Sequence, residues 1–148
     1  MLQWLLLPLS GRLPLASRPM QSLAEDAIGA ARESNRVASP VERALIDALA
    51  TRFAGPDYVD PVAMQAYNEA YREAMRPVAA EFGDDDDVVT LFADAAMVPI
   101  AWKLWSAAGD PAVGTPEIVS ALETVLARNP SHPGANHLYI HAVEASAR

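Results

Sequence analysis

From Leu23 onward, apolar side chains recur every three or four residues, the spacing of helices that bury one face. Leu23, Ala27, Ala30, Ala31 and Ser34 form a stripe of small residues on a first helix, predicted to run to about Val37 with Ser22 as its cap. Such a stripe lets two helix axes approach closely. A second helix opens at Ser39-Pro40-Val41-Glu42, a capping box with proline at the first helical position. Its buried face is Val41, Leu45, Ala48, Leu49 and Phe53, and Gly55-Pro56 stops it.

The pattern continues through four more helices. The third opens at Asp60-Pro61 and carries Met64, Tyr67, Tyr71, Ala74, Val78 and Phe82 on one side. Pro77 lies inside it, so a kink or a split is expected there, with Gly83 at its end. The fourth starts within Asp84-Asp85-Asp86-Asp87 and continues through Val88, Leu91, Phe92, Ala95, Val98, Trp102 and Trp105, bent at Pro99. The fifth opens at Thr115-Pro116-Glu117, with Thr115 as cap and Ile118, Ala121, Leu122, Val125 and Leu126 inward, and closes at Asn129-Pro130. The sixth follows His132-Pro133 and runs to about Ala145. No alternating strand pattern persists anywhere. The fold class expected is all-α, in antiparallel helical hairpins joined by short Pro/Gly loops.

Residues 1–20 differ in character. Leu2, Trp4, Leu5, Leu6, Leu7 and Leu9 make an apolar run broken by Pro8. Crossing a bilayer takes about 20 apolar residues, so no transmembrane helix is expected. A secretory signal carries its positive charge ahead of the apolar run; here Arg12 comes after it, and Leu15-Ala16-Ser17 is a mediocre cleavage site. Three readings stay open for this segment: a frayed terminus, a signal-like leader, or a start that is not native. Residues 21–148 form the expected helical domain, cytoplasmic by default.

Composition narrows the chemistry. The 148 residues include no Cys, which excludes disulfides, Cys-ligated zinc, iron–sulfur clusters and thiol nucleophiles. With 19 acidic and 11 basic side chains the formal net charge is −8. Phosphate backbones are repelled by such a chain, and its one lysine, Lys103, and scattered arginines form no basic cluster. A basic protein or peptide surface, or a metal ion, is the compatible partner.

All three histidines fall within ten residues. His137, His141 and Glu144 stand at i, i+4 and i+7, so they share a helical face and could ligate a divalent metal, with His132 in the preceding loop as a fourth ligand. Leu138, Tyr139, Ile140, Ala142 and Val143 cover most of the remaining circumference, which predicts a helix buried nearly all round with a polar seam. A buried seam must be paired or line a cavity; the competing reading is hydrogen bonding to carbonyls or carboxylates of neighbouring helices. Residue 138 is Leu, so the metalloprotease His-Glu-x-x-His pattern is absent. The four aspartates miss the glycine and glutamate of a calcium loop and read as a solvated helix cap. Trp102 and Trp105, with Tyr67 and Tyr71, read as core or as the wall of a ligand groove. No phosphate loop, nucleophile elbow or catalytic triad can be assembled from the spacing.

Asn129-Pro130 fits the tail of a tetratricopeptide repeat, and Ile118, Leu122, Val125 and Pro130 fall where its second helix packs. The segments Gly114–Val119, Leu126–Pro130 and His132–Glu144, with Ser39–Leu49 and Trp102-Lys103-Leu104-Trp105, resemble a family of bacterial tetratricopeptide-repeat-containing proteins over about residues 19–146. The resemblance implies a TPR-like α-α superhelix and protein or peptide binding, with no established activity. Residues before Pro19 depart from it, and relatives continue beyond the equivalent of Arg148, so it also implies a fragment.

Overall fold

The computed structural model describes residues 20–33, 38–54 and 60–146. They form α1 (Met20–Glu33), α2 (Pro40–Arg52), α3 (Pro61–Glu81), α4 (Asp86–Met97), α5 (Thr115–Arg128) and α6 (Pro133–Val143), with a 3₁₀ turn at Val98–Ile100 after α4. Each helix packs against the next, and α4 also meets α6. Among the described residues there is no sheet; the one departure is an isolated bridge between Trp105 and Pro111. No described helix is long and apolar enough to cross a membrane. The apolar segment 1–19, the end of the first predicted helix and the Gly55-Pro56 stop lie outside the described residues.

A cap followed by proline sets the starts of α2, α3 and α6, and a capping aspartate alone that of α4. At Ser39 both halves of the capping box form: Glu42 N–H donates to Ser39 Oγ at 3.3 Å and Ser39 N–H to Glu42 Oε2 at 2.7 Å. The Ser39 backbone and then its hydroxyl hold the Glu42 carboxyl below its usual range. Asp60 Oδ1 accepts from the N–H groups of Val62 and Ala63, and Asp85 Oδ1 from those of Asp87 and Val88. These oxygens satisfy donors that the first helical turn leaves without a partner.

Three expectations are corrected. The first helix begins at Met20, so Ser22 lies inside it; of the small-residue stripe Leu23 and Ala31 are half-buried, Ala27 and Ala30 are exposed and Ser34 lies outside the described residues, while the buried contact is Ile28. Thr115 is the first residue of α5, not its cap. Gly114 holds the cap position with φ 94°, where a side chain would be strained, and the buried Thr115 hydroxyl donates to the Leu104 carbonyl at 2.8 Å. Of the two outcomes open at Pro77 the split does not occur, and α3 runs unbroken through it. The fourth helix stops at Met97, so Trp102 and Trp105 stand in the following loop rather than on a helix. Pro99 has no N–H and its ring crowds the carbonyl four residues back; the chain answers with a 3₁₀ turn instead of a bend.

The core runs from Ala48 to Ala142. Met75, Val88, Ile118, Leu122 and Val125 are fully enclosed, and α4 buries Val88, Val89, Thr90, Phe92, Ala93, Ala95 and Ala96 against its three helical neighbours. Arg76 on α3 pairs with Glu117 on α5 and lies over the Phe92 ring. The aspartate run joins this frame. Arg128 at the end of α5 pairs with Asp86 at 2.8 Å and donates to the Gly83 carbonyl at 2.9 Å. Asp87 meets His132 at the start of α6.

Candidate functional site

The end of α4, the loop after it and one side of α6 enclose an open cavity of about 390 Å³. Asp94, Met97 and Val98, at i, i+3 and i+4, line it from the α4 side. His137, Leu138 and His141 line it from α6, Glu144 and Ala145 from just beyond its end, and Ala101, Trp102, Leu104 and Trp105 from the loop. Most of this surface is carbon.

The loop is held by its own hydrogen bonds. Leu104, buried, has its carbonyl taken by Ala112 N–H and the Thr115 hydroxyl, both at 2.8 Å. Ser106 Oγ accepts from the N–H groups of Ala108 and Asp110. Trp105 is half-buried, and its indole N–H donates to the Ala142 carbonyl of α6 at 2.7 Å. Trp102 is 91% exposed, with φ 63°. A non-glycine residue in the left-handed region is unusual, and for a bulky one it is strained. Neither tryptophan is a closed core residue. Tyr71 lies in the core, and Tyr67 is partly covered.

The histidines divide into two groups. His132 is buried, and its side chain caps α6: Nδ1 accepts from Ala135 N–H at 3.1 Å while Nε2 faces Asp87 Oδ1 at 3.1 Å. Accepting at Nδ1 leaves the ring proton on Nε2, where it is donated to Asp87. Both nitrogens are thus engaged in holding the start of α6 to the start of α4. His137 and His141 do come together, with ring centroids 4.9 Å apart and edge-to-face. His141 Nδ1 lies 3.2 Å from Glu144 Oε1. The expected all-round burial of α6 is corrected: His137, His141 and Glu144 are exposed, and so is Ile140 on another side. Ala135 and Ala142 are its enclosed positions. Among the described residues no three His, Asp or Glu side chains gather so as to hold a metal ion.

Asp94 is the site residue that spacing alone did not single out. Its signal was available: it is the lone charge between Val88 and Val98. It has no ion-pair partner among the described residues, and its charge, after burial, helps push the Tyr71 phenol above the usual tyrosine value. Two other concavities carry an ion pair within their own lining. The one between α1 and α2 contains Arg32 paired with Asp47 at 2.9 Å, and the one beside Val113 contains Arg76 paired with Glu117.

No protein-family model, no curated protein and no solved structure matches this chain.

Proposed function

We propose that this chain is a TPR-like module of helical hairpins that binds a protein or peptide segment, and that the α4–α6 cavity is where it grips that segment. The supporting observation is the cavity itself: open, carbon-lined, edged by one exposed and one half-buried tryptophan, and walled by a loop fixed through hydrogen bonds. A wall ordered before binding lowers the entropy cost of association. The helix order supports the TPR-like part of the reading. Four-residue connections join α3 to α4 and α5 to α6, and α4 touches both members of the second pair, the neighbour relation of stacked hairpins.

Selection from a random peptide library, followed by titration of the enriched peptides, tests this. Enriched sequences should bind saturably and lose at least tenfold in affinity in Trp105→Ala. A library that yields no saturable binder, or binders indifferent to Trp105 and Trp102, removes the reading.

The proximity of two imidazoles supports a second reading, a metal-binding protein or metal-dependent enzyme in which His137, His141 and Glu144 would turn from their present arrangement to converge on a divalent ion. His132 is committed to the α6 cap and would take no part. Calorimetry with zinc, copper or nickel would show saturable binding lost in a His137→Ala/His141→Ala double variant; equal heats in both proteins would sink it.

A further inference from the structure

We propose that the cavity selects a cation: the ammonium or guanidinium head of a lysine or arginine side chain, its methylene stem lying along the tryptophan rings. The inference rests on the peptide-binding reading and adds the chemistry of the gripped residue. Three independent features converge on it. The first is charge. Asp94 reaches the cavity from α4 and Glu144 from just beyond the end of α6, while no Lys or Arg lines it. Asp94 has no ion-pair partner among the described residues, so a cation would displace no existing pair there. The whole chain, at formal −8, draws positive ligands toward it.

The second is the aromatic wall. An indole face attracts a cation through its quadrupole, more strongly than other side chains do. Trp102 and Trp105 both line the space, and Trp105 has its N–H tied to Ala142. An apolar stem against Met97, Val98 and Leu138 and a charged head near carboxylates is the division that lysine and arginine side chains make at any surface. The third is backbone strain. Trp102 is left almost wholly exposed in a left-handed conformation, a placement that burial in the folded chain does not reward. Residues held so gather at ligand clamps and switches; here the ligand would supply the missing contact.

The test uses tryptophan fluorescence of the full chain titrated with blocked pentapeptides Ala-Ala-X-Ala-Ala, with X as lysine, trimethyllysine, arginine, norleucine or glutamate. The cationic members should shift the emission saturably and bind at least about tenfold tighter than norleucine, with glutamate weakest. Asp94→Asn should cost about tenfold for the cations and little for norleucine, and Trp102→Gly should abolish the discrimination without lowering the melting temperature. Norleucine matching lysine, glutamate binding best, or Asp94→Asn leaving the cation affinities unchanged would each overturn the proposal, as would silence of all five. Library binders that need Trp105 but carry no basic residue would overturn it while leaving the peptide-binding reading intact.

Discussion

At the scale of single residues, two aromatics on either side of Asp94 have opposite fates. Tyr71 is 8% exposed within the core, and Trp102 is 91% exposed at the cavity mouth. Burial first, and then the Asp94 carboxylate, raise the Tyr71 phenol above its ordinary value of 10, with Arg52 pulling back. A group whose folded value is raised contributes stability that is complete below the unfolded value and lost as the pH climbs through the folded one. Tyr71→Phe removes that titration. We expect it to change stability at neutral pH by no more than about 1 kcal/mol, yet to move the alkaline limb of a pH-dependent denaturation curve upward. Superimposable alkaline limbs for the two proteins would show that Tyr71 does not titrate with unfolding. The sequence placed Tyr71 and Trp102 on equal terms, because periodicity reports which residues could share a helical face but not where the helix ends.

At the scale of helices, two prolines inside apolar patterns behave differently, and their surroundings explain why. Pro99 falls where α4 has used its buried face, and the helix yields to a 3₁₀ turn. Pro77 falls between Met75, 0% exposed, and Val78, 7% exposed, and α3 continues through it between α2 and α4. An interior proline costs about 3 kcal/mol, and each well-buried apolar side chain returns about 1.5–3 kcal/mol, so the flanking contacts outweigh the break. Pro77 itself is exposed. Pro77→Ala should therefore restore a main-chain hydrogen bond without crowding and raise the unfolding free energy by about 1–3 kcal/mol in urea titration. An unchanged or lowered midpoint would mean that α3 is shaped around the ring. The helix starts were legible at Ser39 and Asp60, where a side-chain oxygen stands before proline and caps the helix. They were misread at Thr115, since a hydroxyl that caps a helix and one that seals a loop carbonyl are the same letter. The His137–His141–Glu144 face was legible from spacing, but its exposure was not. That depends on α4 ending early enough for the loop to open a cavity over it.

Across the whole molecule, the helices pack in chain order, and the enclosed residues are concentrated on α3, α4 and α5 with short arms into α2 and α6. Ile28, the buried residue of α1, stands outside that contiguous cluster. The two regions should therefore differ in how far a lost methyl group is felt. Leu122 on α5 is 0% exposed at the centre of the cluster, and Leu122→Ala should cost about 2–5 kcal/mol. Against a total that for most domains is about 5–15 kcal/mol, that loss should accelerate global amide exchange throughout α3, α4, α5 and α6 together. Ile28→Ala removes a contact that α1 makes outside this cluster, so its effect should stay local. Exchange should quicken in α1 while the slowest amides of α4 and α5 keep their wild-type protection. Equal loss of protection at both places in the Ile28 variant would show that α1 belongs to the same cooperative unit. The cavity would then be supported by the full length of the array rather than by its last four helices.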